Sequence, residues 1–159
     1  QAQLIFSFWS PLPIHADQQL LLDDRSSFQI MEDLEPLLEL LIKKGFTVKF
    51  QKPPKKGVYG LFQSKNKTLW VSPLSFELGI GRQTLLHEAT HAAQSCPYDS
   101  LTPIGWKLPI SPLIKREIKS LLYNRYDSKK YILEKEAFTL QGQKNAVDLL
   151  YEAIIQRCK

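Results

Sequence analysis

Three residues at one short spacing could do chemistry in this chain: His87, Glu88 and His91, within the run His87-Glu88-Ala89-Thr90-His91. Residues four apart on a helix lie on one face, one above the other, so both imidazoles can aim at a single metal ion. Glu88 sits about 100° further round, near enough to exchange a proton with a water beside the ion without taking a coordination position. The chemistry this set implies is metal-assisted hydrolysis, with the ion as Lewis acid and the carboxylate as general base. Hydrolytic zinc usually takes three protein ligands and keeps a fourth position open, so two histidines need a partner from elsewhere. No further histidine follows His91. A carboxylate on another helix is then the expected third ligand.

The pattern His87-Glu88-Ala89-Thr90-His91 followed by Glu134-Lys135-Glu136-Ala137-Phe138 resembles the gluzincin arrangement of zinc metallopeptidases. In that arrangement a second helix supplies a glutamate, with a small residue three positions later. Glu134 and Ala137 match, and a small side chain there lets the two metal-bearing helices approach closely. The resemblance covers the order of sheet then helix and these two short motifs. It implies a zincin-like fold in which His87, His91 and Glu134 hold Zn2+, Glu88 serves as base, and a peptide or protein is the substrate. Thermolysin-like members carry an aspartate four residues after the glutamate. Phe138 stands there in this chain, which keeps Glu136, with Thr139 as its small residue, as the alternative ligand.

Further roles are expected around this centre. Gln94, three residues beyond His91, is placed to orient a ligand by hydrogen bonding. An oxyanion needs a donor besides the metal, and of Tyr123, Arg125, Tyr126 and Tyr131 we select Tyr126. By the same resemblance, Thr68, Leu69, Trp70, Val71 and Ser72 are expected to form an edge strand that holds an extended peptide by main-chain pairing. The alternative function is a zincin-fold binding or regulatory module with little or no proteolytic activity, since a fold carrying a site does not guarantee turnover.

The elements that must position these residues read as one α+β domain over residues 1–159. Residues 84–95 carry Leu85, Leu86, Ala89, Ala92 and Ala93, good helix formers with an apolar side, so a metal helix is expected over 82–96. Ahead of it, Leu34, Leu37, Leu38, Leu41 and Ile42 mark one face of a helix over 32–45, with Asp33 as its cap, Pro36 in its first turn and Gly45 as its stop. Residues 46–72 read as a small, mostly antiparallel sheet of about three strands, and 64–67 as the turn between the last two. Pro11 and Pro13 make residues 1–31 an irregular segment. Residues 111–158 read as C-terminal helices, the last interrupted near Gly142.

Two cysteines, Cys96 and Cys158, can be joined only if the chain turns back. One straight helix from Glu134 would carry Cys158 about 36 Å away. A break at 142–145, with Asn145 capping a returning helix, removes that objection, and both outcomes stay open. A disulfide and a chain starting at Gln1 are each compatible with a secreted or extracytoplasmic protein, without establishing a compartment.

The net charge is +5 and 43% of residues are apolar, ordinary for a globular chain. No apolar run approaches the roughly 18 residues that would span a bilayer. Residues 17–39 hold seven acids and one base, whereas 43–67 hold eight lysines and no acid. Such a basic block reads as a solvated face. It lacks the spacing of a nucleic-acid-binding motif, so nucleic acid is not an expected partner.

Overall fold

The computed structural model describes residues 25–123 and 127–159, with side chains from residue 32 onward. The expected α+β class is observed. Among the described residues six helices pack around a three-stranded mixed sheet: α1 (Arg25–Lys43), β1 (Thr47–Lys49), β2 (Gly60–Gln63), β3 (Thr68–Val71), α2 (Pro73–Glu77), α3 (Gly81–Gln94), α4 (Pro112–Leu122), α5 (Ser128–Gln141) and α6 (Ala146–Arg157). No helix among these residues is long and apolar enough to cross a membrane.

The sheet corrects the expected pairing. Its order is β1-β3-β2, with β2 and β3 antiparallel, and β1 parallel to β3 with Thr47 opposite Thr68. The tight turn at 64–67 forces β2 and β3 into a hairpin, as alternation and turn residues indicated. The long connection at 50–59 instead carries the chain past the place beside β1, which β3 then fills in the parallel sense. The sheet is therefore mixed rather than mostly antiparallel, and β3 is its centre.

Helix α1 starts earlier than 32. Asp33 does not cap it but lies within it, and its carboxylate accepts from Arg82 Nη2 at 3.0 Å. Pro36 stands inside the helix on its exposed side, where the carbonyl that loses its donor can face water. The buried face is Leu34, Leu37, Leu40 and Leu41, whereas Ile42 is 62% exposed.

At the centre lies α3, which touches α1, α2, β2, β3, α5 and α6. Because it is covered on nearly every side, its polar residues are buried with its apolar ones: Thr84, His87, Glu88, Thr90, His91 and Gln94 all lie inside. Each buried polar group must find a partner or carry a desolvation cost. Thr84 and Thr90 donate to the carbonyls of Ile80 and Leu86, one turn back.

The chain does break after α5. Gly142 ends that helix and α6 begins at Ala146. The returning helix brings Cys158 to Cys96, and the two form a disulfide with a Cα–Cα distance of 5.1 Å. Arg157 reinforces the junction, donating from Nε to Ala93 O at 2.9 Å and from Nη2 to Cys96 O at 2.8 Å. A cation is thus placed at the negative end of α3, where unpaired carbonyls accumulate.

Candidate metal centre

Helices α3 and α5 bring His87, His91 and Glu134 together. Ala137, fully buried one turn beyond Glu134, leaves no side-chain bulk between the closely packed helices. Glu134 Oε2 lies 3.0 Å from His87 Nε2 and its Oε1 lies 3.3 Å from His91 Nε2, while the two Nε2 atoms are 3.2 Å apart.

The protons on the imidazoles follow from what lies behind them. His91 Nδ1 meets Gln94 Oε1 at 2.7 Å. That amide is held in one orientation, because its Nε2 donates to Leu133 O at 3.1 Å and to Glu136 Oε1 at 2.8 Å. His91 therefore carries its proton on Nδ1. His87 Nδ1 likewise meets Gln141 Oε1 at 2.7 Å. Neutral rings with Nδ1 protonated present bare lone pairs at Nε2.

Two nitrogen lone pairs and a carboxylate thus converge on one point in a buried space, an arrangement of acceptors that a cation satisfies. The two imidazole nitrogens are 3.2 Å apart and each faces a different Glu134 oxygen, at 3.0 and 3.3 Å; one ligand atom from each residue lies within 4.8 Å of the other two. This buried group could hold a metal ion.

The charges agree with this geometry. Burial pulls the His87 pKa down, although Glu134 opposes that shift, and so favours the neutral ring a metal requires. Burial alone would push the Glu134 carboxyl up; when the imidazoles bear protons on Nε2, the state a bound metal would displace, the charge of His91 and the hydrogen bonds donated by both rings overcome it and hold the group down at about 2. For Glu88 burial wins, aided by the Glu134 charge, and its pKa is raised well above the usual carboxyl range. Both Glu88 oxygens are buried without a hydrogen-bond partner. Strand β2 passes directly over this carboxylate: a Cβ at Gly60 would stand 2.6 Å from Thr84 Cγ2 and 2.7 Å from Glu88 Oε1.

Other expected residues fall differently. Glu136 is not gathered with the histidines; its carboxylate accepts from Gln94, from Ile104 N and from Gly105 N, each at 2.8 Å. Thr68, Leu69, Trp70, Val71 and Ser72 do not offer a sheet edge, because β3 is paired on both sides and all but Trp70 are buried. That assignment is corrected: among the described residues β1 and β2 flank β3, and β2 is the strand beside Glu88. Tyr126 and Arg125 lie outside the described residues. Tyr123 is 66% exposed, and Tyr131 packs against a second apolar cluster of Tyr59, Ile80, Ile118, Leu122 and Phe138.

Gln141 was not foreseen. The signal was present, since 134 and 141 are two helical turns apart and share a face. Phe138, where an orienting acid was expected, packs its ring edge-on to His87 at 4.7 Å between centroids. The hydrogen bond that fixes His87 comes instead from the next turn.

No family model, curated protein or solved structure matches the chain.

Proposed function

We propose that this protein is a zinc-dependent hydrolase of the zincin type, a metalloendopeptidase with His87, His91 and Glu134 as ligands and Glu88 as general base. The observation that carries the reading is Glu88 itself: a carboxylate wholly buried and unpartnered, one residue from a metal ligand. Burying such a group without a partner costs stability and is retained where the group has work to do.

When bound, zinc supplies a Lewis acid that polarises a scissile carbonyl and acidifies water. Glu88 takes the proton of the attacking water and later delivers it to the leaving amine. Its dry surroundings raise its basicity. Gln141 and Gln94 keep the two imidazoles aimed, and Phe138 walls the His87 ring.

One observation favours a second reading. His87, Glu88 and His91 are all 0% exposed, as in a centre that serves architecture alone, within a binding or regulatory module. Glu88→Gln separates the two. Under the hydrolase reading the variant keeps its zinc and loses cleavage of an unstructured protein such as casein by at least about 100-fold. Equal cleavage rates in variant and wild type would remove Glu88 from the mechanism. No cleavage by either protein, with zinc bound in both, would leave the architectural reading.

A further inference from the structure

Glu136 lost the competition for the metal, yet it is the most heavily engaged carboxylate near the centre. One oxygen accepts from Gln94 Nε2 and Ile104 N, the other from Gly105 N, all at 2.8 Å. An ionised carboxylate can only accept, so whatever faces it must donate. That requirement turns the NH2 end of Gln94 toward Glu136 and leaves Oε1 toward His91 Nδ1, 2.7 Å away. The amide oxygen in turn requires a proton on Nδ1, which clears His91 Nε2 to face Glu134 and His87.

We infer that Glu136 is a positioning residue of the metal centre: through Gln94 it fixes the tautomer and aim of His91, and it ties that setting to the main chain at Ile104 and Gly105. This rests on the metal reading above. The Leu133 carbonyl also receives Gln94 Nε2, at 3.1 Å, but a neutral carbonyl holds a donor less firmly than a carboxylate does. With the charge removed, the Gln94 amide can turn over and present NH2 to His91, which then keeps its proton on Nε2 and cannot ligate. The backbone contributes as well. Gly105 has φ +88, a conformation that favours glycine, and its N–H and that of Ile104 converge on the one carboxylate.

The test is Glu136→Gln, close in volume, compared with wild type for Co2+ affinity and visible spectrum. The expected result is affinity lower by about 10- to 100-fold, with an altered cobalt spectrum and an unchanged circular dichroism spectrum. The exchange Gln94→Glu with Glu136→Gln should recover part of the loss. A carboxylate then accepts from His91 Nδ1, and the new amide donates to that carboxylate while its oxygen accepts from Gly105 N; Ile104 N loses its acceptor. Affinity within twofold of wild type in Glu136→Gln overturns the inference while leaving the metal centre intact. A wild type that binds no cobalt overturns both. Should the variant fail to fold, the tautomer of His91 in the metal-free wild type, read from long-range proton–nitrogen NMR correlations at pH 8, decides the matter: Nδ1–H supports the inference and Nε2–H refutes it.

Discussion

Glu134 is the residue on which electrostatics and the proposed metal binding meet. Held at about 2 when folded against 4.5 for the unperturbed side chain, it binds its proton less tightly in the folded state than in the unfolded one. Its contribution is therefore present above pH 4.5 and is lost as pH falls toward 2; the shift corresponds to about 3 kcal/mol. In metal-free protein, the thermal midpoint of wild type should exceed that of Glu134→Gln at pH 5, and the gap should close by pH 2. A gap independent of pH would contradict the ion-pair account. Gly60 offers a second test at this scale. A methyl there meets Thr84 and Glu88 at contact distances no packed structure tolerates, so Gly60→Ala should cost about 1–3 kcal/mol in chemical unfolding; a change below a few tenths would show that β2 does not press on α3. His87, Glu88 and His91 were legible in the sequence because one helical turn sets their geometry. Glu134 was legible through Ala137, a small residue where two helices must meet. Glu136 could not be separated from it by local pattern, since what sets them apart is the engagement of Glu136 with Gln94 and the 104–105 backbone.

Among the elements, those fixed by short-range signals were read well and those fixed by long-range pairing were not. Ser111 and Asp127 cap α4 and α5, accepting from Ile114 N and Lys130 N, and the start at 111 was foreseen. The position of β3 was missed, because which strand lies at the centre depends on where the connection at 50–59 sends the chain. The start of α1 was missed because Asp33 and Pro36 imitate a helix beginning. The joint between α3 and α6 makes a prediction of its own. The disulfide closes a loop of sequence separation 62, for which the chain-entropy estimate is about 4 kcal/mol of stabilisation. Cys96→Ser with Cys158→Ser should lower the denaturation midpoint accordingly while Arg157 still holds the end of α3. Unchanged stability in the double variant would mean that the bond does not form in solution.

Across the whole molecule, the candidate metal centre joins helices far apart in sequence, α3 through His87 and His91 and α5 through Glu134. An ion that binds this folded arrangement and not the unfolded chain must stabilise it by mass action. At a hundredfold excess over Kd the gain is about 2.7 kcal/mol, a rise of roughly 5–10 °C in the thermal midpoint for a domain of this size. The broad class was legible from alternating periods along the chain, and the site from two short motifs. The sheet order, the role of Gln141 and the complete burial of the centre belong to the assembled fold. The most direct measurement of the central claim is the zinc content of the purified protein after equilibration with zinc at neutral pH and removal of unbound metal. The account predicts about one zinc per chain in wild type, as a site with this ligand set holds, and none in His87→Ala. Wild-type protein that emerges metal-free from the same treatment would contradict it.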